Sequence, residues 1–418
     1  MPEDAIVVGA LLPFSGEQAA VGINIEQAVR LAVEDVNAAG GIDGHPFALL
    51  VRDSNSGSKK GLEEAKKLLN EDKVKYLIGP EENSLGKDLI SEVKRLDILH
   101  ILPGYAAPTV EQTGRKGAWI RLAPDPAAVG CAMANSAVKA GHKTAAALVM
   151  SDDDYQTVLA TAFNSHFAEL GGRLLGTITL KPDQSSYLKE LSLVTDMRAD
   201  FVAMMAYPTT AAIVTQDKAV AGMAGDWYLA PTLFTNMFLE NIPFGSLNGF
   251  LVFSPSLSLK SECKTSLQTE PYSVDCVRDN SKAFIKYYGS AWGGDHPLPA
   301  SRFYYDAVVL LALSLARAHY LGETDSSPVT IREHMRYIAE KPGVTVDWRH
   351  IGDGFEKLEA GGDISYSGAA AEYEFIINRV GASYGVANHR VIDAWSIRNN
   401  SFKIAESIGA YCSGSLLD

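Results

Sequence analysis

Covalent chemistry has few candidates in this 418-residue sequence. The nine histidines are dispersed, none three to five residues from another, so the helical spacing that lets two imidazoles share a metal is missing. No Gly-x-x-x-x-Gly-Lys-Ser/Thr phosphate loop, Gly-x-Gly-x-x-Gly turn or His-Glu-x-x-His helix occurs. Gly381-Ala382-Ser383-Tyr384-Gly385 matches Gly-x-Ser-x-Gly. A nucleophile elbow must join a strand to a helix, however, and this segment lies between two β-like runs, so it reads as a glycine-bounded turn. Asp152-Asp153-Asp154 lacks the spaced oxygen ligands and closing Glu of a calcium loop and reads as a turn or N-cap cluster. Neither metal, cofactor nor catalysis is therefore expected. What remains is a set of hydroxyl, amide and aromatic side chains where strands should end, at 13–16, 80–84, 103–108, 151–155, 207–210 and 231–236. Such groups hold a small molecule by hydrogen bonds and apolar contact.

The elements that must position them alternate short β-rich runs with longer segments of helical period, the signature of parallel βα units. Strands are predicted at 6–12, 47–51, 74–79 and 98–102, with helices at 22–39, 59–70 and 84–96 between them, giving one doubly wound sheet. Ile25, Ala28, Val29, Ala32 and Val36 form the apolar stripe of the first helix, and Gly40-Gly41 stops it. After Pro124-Asp125-Pro126 the alternation restarts, with strands at 144–149, 174–180, 201–205 and 227–229 and helices at 127–140, 155–170, 187–195 and 209–222. A second sheet of the same class is expected. Another strand follows at 249–255, then a polar excursion and helices at 280–288, 301–319 and 330–339. The Gly-rich stretch to 368 shows no clear period, and β-like runs at 372–377 and 390–397 suggest that the chain returns to an earlier domain.

Lys plus Arg number 37 against 50 Asp plus Glu, a formal net charge of −13. No basic block offers a surface for phosphate backbones, so nucleic acid is not an expected partner. No run reaches the ~18 apolar residues needed to cross a bilayer. Met1-Pro2-Glu3-Asp4 leads directly into the first strand, which fits either a cytosolic protein or an exported one with its signal removed. The cysteines favour the second. Cys263 and Cys276 lie in a polar Ser/Thr-rich stretch where a local disulfide is expected; the alternative is two partly buried free thiols. Cys131 and Cys412 could also pair, which sequence does not decide.

The segments Val7-Val8-Gly9-Ala10-Leu11-Leu12-Pro13-Phe14-Ser15-Gly16, Gly40-Gly41-Ile42-Asp43-Gly44, Tyr76-Leu77-Ile78-Gly79-Pro80 and Pro103-Gly104-Tyr105-Ala106-Ala107-Pro108 stand in a specific order. Together with Asp154-Tyr155, Ala199-Asp200-Phe201-Val202 and Tyr304-Tyr305-Asp306-Ala307, they resemble the landmarks of type I periplasmic binding proteins. The leucine/isoleucine/valine-binding branch, which serves ABC transporters, is the most similar. The resemblance implies two αβ lobes joined by three crossing strands, with a ligand cleft between them. On that pattern residues 1–123 and 254–342 form one lobe, and 124–253 and 343–418 the other.

It further implies that an amino-acid carboxylate meets Asn83 and Ser84 after the third strand and Tyr105, Ala106 and Ala107 after the fourth. Tyr155 and Tyr207 match pocket aromatics of the second lobe, while Tyr304 and Tyr305 read as first-lobe packing. Branched-chain members place an acid after a Pro on the second-lobe loop; here Pro231 is followed by Thr232. Tyr105 also replaces a usual small residue. The implied function is a monomeric, exported, non-enzymatic binder of an amino acid or related small carboxylate, with a membrane permease as partner. A ligand-sensing receptor domain, or a binder of aromatic carboxylic acids, is the alternative.

Overall fold

The computed structural model describes residues 4–57, 59–104, 119–123, 125–151, 154–255, 279–340, 343–370, 373, 376–377, 383–384 and 391–409. They fall into two compact units, 1–124 with 279–388 and 125–278 with 389–418. In the first, β1 (Ile6–Leu12), α1 (Ala19–Ala38), β2 (Phe47–Asp53), α2 (Lys59–Lys66), β3 (Tyr76–Ile78), α3 (Asn83–Arg95), β4 (Leu99–Leu102) and β5 (Trp119–Arg121) follow one another. The strands form a parallel sheet in the order β2-β1-β3-β4-β5. From β1 the chain runs outward to β2, then crosses back to β3, so the loops leaving β1 and β3 diverge at their carboxyl ends. That divergence is where open α/β sheets bind ligands.

Two glycines seat helices tightly against this edge. A Cβ on Gly22 of α1 would lie 1.8 Å from the Pro13 carbonyl oxygen, and one on Gly61 of α2 equally close to that of Ser54. Only a residue without a side chain lets each helix pack directly on the loop.

The second unit repeats the plan. It contains α4 (Pro126–Lys139), β6 (Thr144–Met150), α5 (Asp154–Glu169), β7 (Arg173–Leu180), α6 (Leu188–Met197), β8 (Phe201–Met205), α7 (Pro208–Val220), β9 (Asp226–Leu229), α8 (Asn236–Glu240) and β10 (Leu251–Pro255). The parallel order β7-β6-β8-β9-β10 matches that of the first sheet. Leu148, Met204, Tyr207, Val214, Trp227 and Phe238 belong to the core that packs α6, α7 and α8 on one face.

The chain then returns to the first unit with α9 (Asp279–Ala291), α10 (Pro299–Tyr320), α11 (Pro328–Glu340), β11 (Val344–Asp347), α12 (Ile351–Glu359) and β12 (Ile364–Ser367). β11 and β12 pair in parallel around α12. This corrects two expectations. The stretch before 368 is a βαβ unit with its own period, and residues 343–370 pack with the first unit instead of the second. A two-residue pair, β13 (Ile376–Ile377) and β14 (Ser383–Tyr384), follows in antiparallel register. Ser383 therefore sits in a hairpin, which no nucleophile elbow uses. Finally β15 (Val391–Arg398) and β16 (Ser401–Gly409) close the second sheet, β15 running antiparallel to β10. β16 and β5 were not foreseen from sequence. Cys131 on α4 is disulfide-bonded. The Cys263 and Cys276 pairing lies outside the described residues.

Asp306 organises the first unit. Its carboxylate is fully buried on α10 and accepts four hydrogen bonds, from the Tyr366 and Tyr373 hydroxyls at 2.8 and 2.5 Å and from the Ala369 and Ala370 amides, both at 2.8 Å. Burial pushes its pKa up to about 6, outweighing the four donors that favour the charged form. Asp306→Asn turns an NH2 group toward some of these donors. It is expected to lower unfolding free energy by about 3 kcal/mol or more in urea titrations, with Tyr366→Phe costing roughly 1–2 kcal/mol.

Candidate functional site

At the carboxyl edge of the first sheet, Asp53 ends β2 and fastens the loop leaving β1. It accepts from the Phe14 amide at 2.9 Å and the Ser15 hydroxyl at 2.6 Å, and Asn55 in turn donates to Ser15. Burial pushes this carboxyl up, but the bonds from Ser15, Asn55 and Phe14 outweigh it and hold the pKa below the ordinary value. The loop leaving β3 is held from beneath by His100. That imidazole is 1% exposed, lies 2.7 Å from the Gly79 carbonyl through Nε2, and has its pKa pushed down by burial to about 4. It is neutral near pH 7, so Nε2–H donates to the carbonyl.

The same loop carries two acids. Glu81 accepts from the Tyr304 hydroxyl at 2.8 Å, and a Cβ on Gly104 would clash with its Oε2, so the chain after β4 passes directly over it. Tyr304, read from sequence as packing, therefore reaches the site loop. Glu82 is 5% exposed and accepts from the Ser54 hydroxyl at 2.5 Å, while its buried Oε2 has no hydrogen-bond partner among the described residues. Burial raises its pKa to about 7. Glu82 stands at the N-cap of α3 but makes no cap bond, so its side chain takes none of the first-turn N–H groups. Those donors and the local dipole suit an anion.

Ser84 lies exposed in that first turn, its hydroxyl near Gly57. Asn83 opens the helix; its side chain lies outside the described residues, as do Tyr105, Ala106 and Ala107.

At the corresponding edge of the second sheet, Thr232 ties two loops to the start of α5. Its hydroxyl donates to the Ala206 carbonyl at 2.6 Å and accepts from Gln156 Nε2 at 3.2 Å. Gln156 is fully buried, and Tyr155 beside it at the start of α5 is 2% exposed. Tyr207 is the N-cap of α7, 9% exposed and part of the apolar core. Thr232 thus joins the start of α5, which carries Tyr155, to the loop that leads into Tyr207. Its one proton is already donated within the unit, so toward a ligand it offers acceptor capacity only. Gln156 was missed because a glutamine in the first turn of a helix carries no sequence mark of burial. Among the described residues, no group of three His, Cys, Asp or Glu side chains is placed to hold a metal ion.

The sequence profile of the periplasmic binding protein family matches residues 5–349. The chain belongs to this family. In sequence, the periplasmic binding protein is 34% identical over 104 residues to Leu/Ile/Val-binding protein homolog 2 of Brucella abortus, 25% of this chain and 28% of that one. The match therefore spans under a third of that relative's length.

In structure, the chain is similar to the leucine-binding protein LivK of Thermotoga maritima. The TM-score is 0.75 at 17% identity, over 97% of this chain and 99% of that one. It is also similar to an ABC-transporter solute-binding protein of Rhodopseudomonas palustris in complex with 3,4-dihydroxybenzoic acid, with a TM-score of 0.74 at 14% identity over 99% of each chain. The fold is accordingly that of the type I periplasmic binding proteins, with two αβ lobes.

The state of Glu82 gives this edge a pH signature. Folding raises its pKa from 4.5 to about 7, so the folded chain holds an extra proton between those values, and stability is greatest below the window and falls as pH rises through it. Glu82→Gln should remove this slope. In urea titrations from about pH 5 to about pH 8, the wild type should lose up to about 3 kcal/mol relative to the variant.

Proposed function

We propose that this periplasmic binding protein is the solute-binding component of an ABC transporter. It is exported, acts as a monomer in the periplasm or at the cell surface, and catalyses no reaction. It captures an amino acid or related small carboxylate between its two lobes and presents it to a membrane permease. A ligand that makes extra contacts in the closed form stabilises that form, which the permease then distinguishes.

The observation that supports a carboxylate ligand is the first turn of α3. It opens at the diverging strand ends with no acid inside the turn and no cap bond from Glu82. Backbone N–H groups there attract an anion without Lys or Arg. Protonation of Glu82 below pH ~7 lowers the negative charge that such a ligand meets.

Thr232 favours a second reading, an aromatic carboxylic acid. Branched-chain binders place an acid at this position for the ligand ammonium, whereas the Thr232 hydroxyl is engaged with Ala206 and Gln156. A ligand without an ammonium group loses nothing by that exchange. A thermal-shift panel of the twenty amino acids and a set of benzoate-like acids separates the two, because a ligand at 100 times Kd stabilises the folded chain by about 2.7 kcal/mol.

With the ligand in hand, Tyr155→Ala should weaken binding by about one to two decades while the melting curve of the unliganded protein stays cooperative. Calorimetry reads the affinity. The amide of the same ligand should bind at least roughly tenfold more weakly than the acid, since hydrogen bonds to a charged acceptor contribute about 1.5–3 kcal/mol each. Ser84→Ala should narrow that gap if its hydroxyl is one of the donors. Equal binding of acid and amide would reject carboxylate capture.

A further inference from the structure

A pocket of about 560 Å³ opens on the first unit away from the strand ends, where the C-terminal end of α1 meets α9 and the start of α12. Asp35 lies sixteen residues beyond the first residue of α1, about 24 Å along the helix from the end near the β1 loop. The volume is within the range of small-molecule sites. It is open because the residues facing it are small. Ala38, Ala39, Ala283 and Gly352 line it, and a Cβ on Gly352 would meet only the Ala39 Cβ, at 3.9 Å. Tyr287 and Trp348 supply an aromatic wall, their ring centroids 5.4 Å apart.

The hydrogen-bonding groups around it are unevenly satisfied. Asp35 accepts from the Tyr287 hydroxyl on one oxygen and from the Tyr305 hydroxyl, at 2.6 Å, on the other. Arg349 is forked onto Asp347, through Nε at 3.1 Å and Nη2 at 2.8 Å. One donor remains toward the open space, since the indole N–H of Trp348, a residue 4% exposed and without a hydrogen-bond partner among the described residues, is buried out of a ligand's reach. Lys286 lies exposed on the wall, and among the described residues it meets no carboxylate at ion-pairing distance.

An ammonium group is spare on the wall, the Asp35 carboxylate is held by two tyrosine hydroxyls, and the remaining surface is apolar and partly aromatic. The geometry points to a second ligand site on the first lobe, taking a monocarboxylate with an aromatic body: ring against Trp348 and the alanines, carboxylate toward Lys286. This site is independent of the ligand captured at the strand ends.

The test uses the whole chain with fluorine-labelled tryptophan, phenylacetate as probe and phenylacetamide as its neutral counterpart. The chain has five tryptophans, and Trp348→Phe identifies the Trp348 signal by its loss from the fluorine NMR spectrum. Phenylacetate should move that signal saturably, and the amide should bind at least about tenfold more weakly. Lys286→Met, at an exposed position, should cost a similar factor, and Gly352→Leu should abolish the shift by filling the space. An unmoved Trp348 signal overturns the proposal, as does equal binding of acid and amide. So does an affinity left unchanged in Lys286→Met, because the shift would then arise from occupancy elsewhere. If Gly352→Leu fails to fold, the Lys286→Met comparison alone decides.

Discussion

A buried anion demands donors, and the first unit is arranged around that demand. Asp306 carries a formal charge where water does not reach, and the chain answers with two tyrosine hydroxyls and two consecutive amides from residues 366–373. Because those amides follow β12, the requirement fixes where the β11–α12–β12 unit ends relative to α10. The same helix packs on α1, α11 and α12, so its position sets that of the layer against the sheet. A second polar knot reinforces it. Asn24 of α1 accepts from the Leu298 amide and the Ser301 hydroxyl at 2.8 and 2.6 Å at the start of α10, and donates to the His296 carbonyl at 2.9 Å. Both knots use side chains that an apolar core would reject if any of their groups were left unmatched.

The strand ends show the opposite economy, with polar groups held but not exhausted. Asp53 is saturated by its own loop, whereas Glu82 keeps one oxygen without a partner among the described residues and stays near the edge of ionisation. Such a group is tolerated because it can hold its proton, at the expense of making the edge sensitive to pH. In the second unit the corresponding polarity is damped: Thr232 spends its proton on Ala206 and receives one from Gln156. The polar character of the two edges is therefore set in part by Glu82 and Gln156, each adjacent to a residue that the family pattern highlights.

Much of the fold was legible because its strands are nearly continuous apolar runs bounded by Gly and Pro. β1 and β8 fall at the residues read from sequence, and the stripe of α1 is buried as its spacing requires. Residues 343–370 were opaque for identifiable reasons. β11 has only four residues, two of them exposed, and α12 contains two glycines, which weaken the helical signal. β16 was missed because every second residue from Ser401 to Lys403 and on to Ala405 is exposed, so it lacks the apolar density of the other strands. At the site, Ser84, Tyr155 and Thr232 lie at strand ends as anticipated. Glu82 did not stand out, because two adjacent glutamates in a loop read as solvated surface; its burial is imposed by Ser54 and the turn around Gly57, which come from a different strand.

The closing hairpin carries a consequence for how the molecule is made. β15 pairs with β10, and α4 is bound to β16 through Ser136 and Lys139 on Glu406 and through Asn135 on the Gly409 carbonyl. The residues that complete the second sheet are thus separated from its other strands by more than a hundred residues that belong to the first unit. During synthesis β10 emerges long before its neighbour exists, and its unpaired edge must wait while the whole of 279–388 is produced. Such a connectivity raises the entropic barrier to finishing the sheet and couples completion of one unit to production of the other. A nascent chain of this protein therefore passes through a stage in which the β10 edge is open, and that stage ends only when β15 has paired with it.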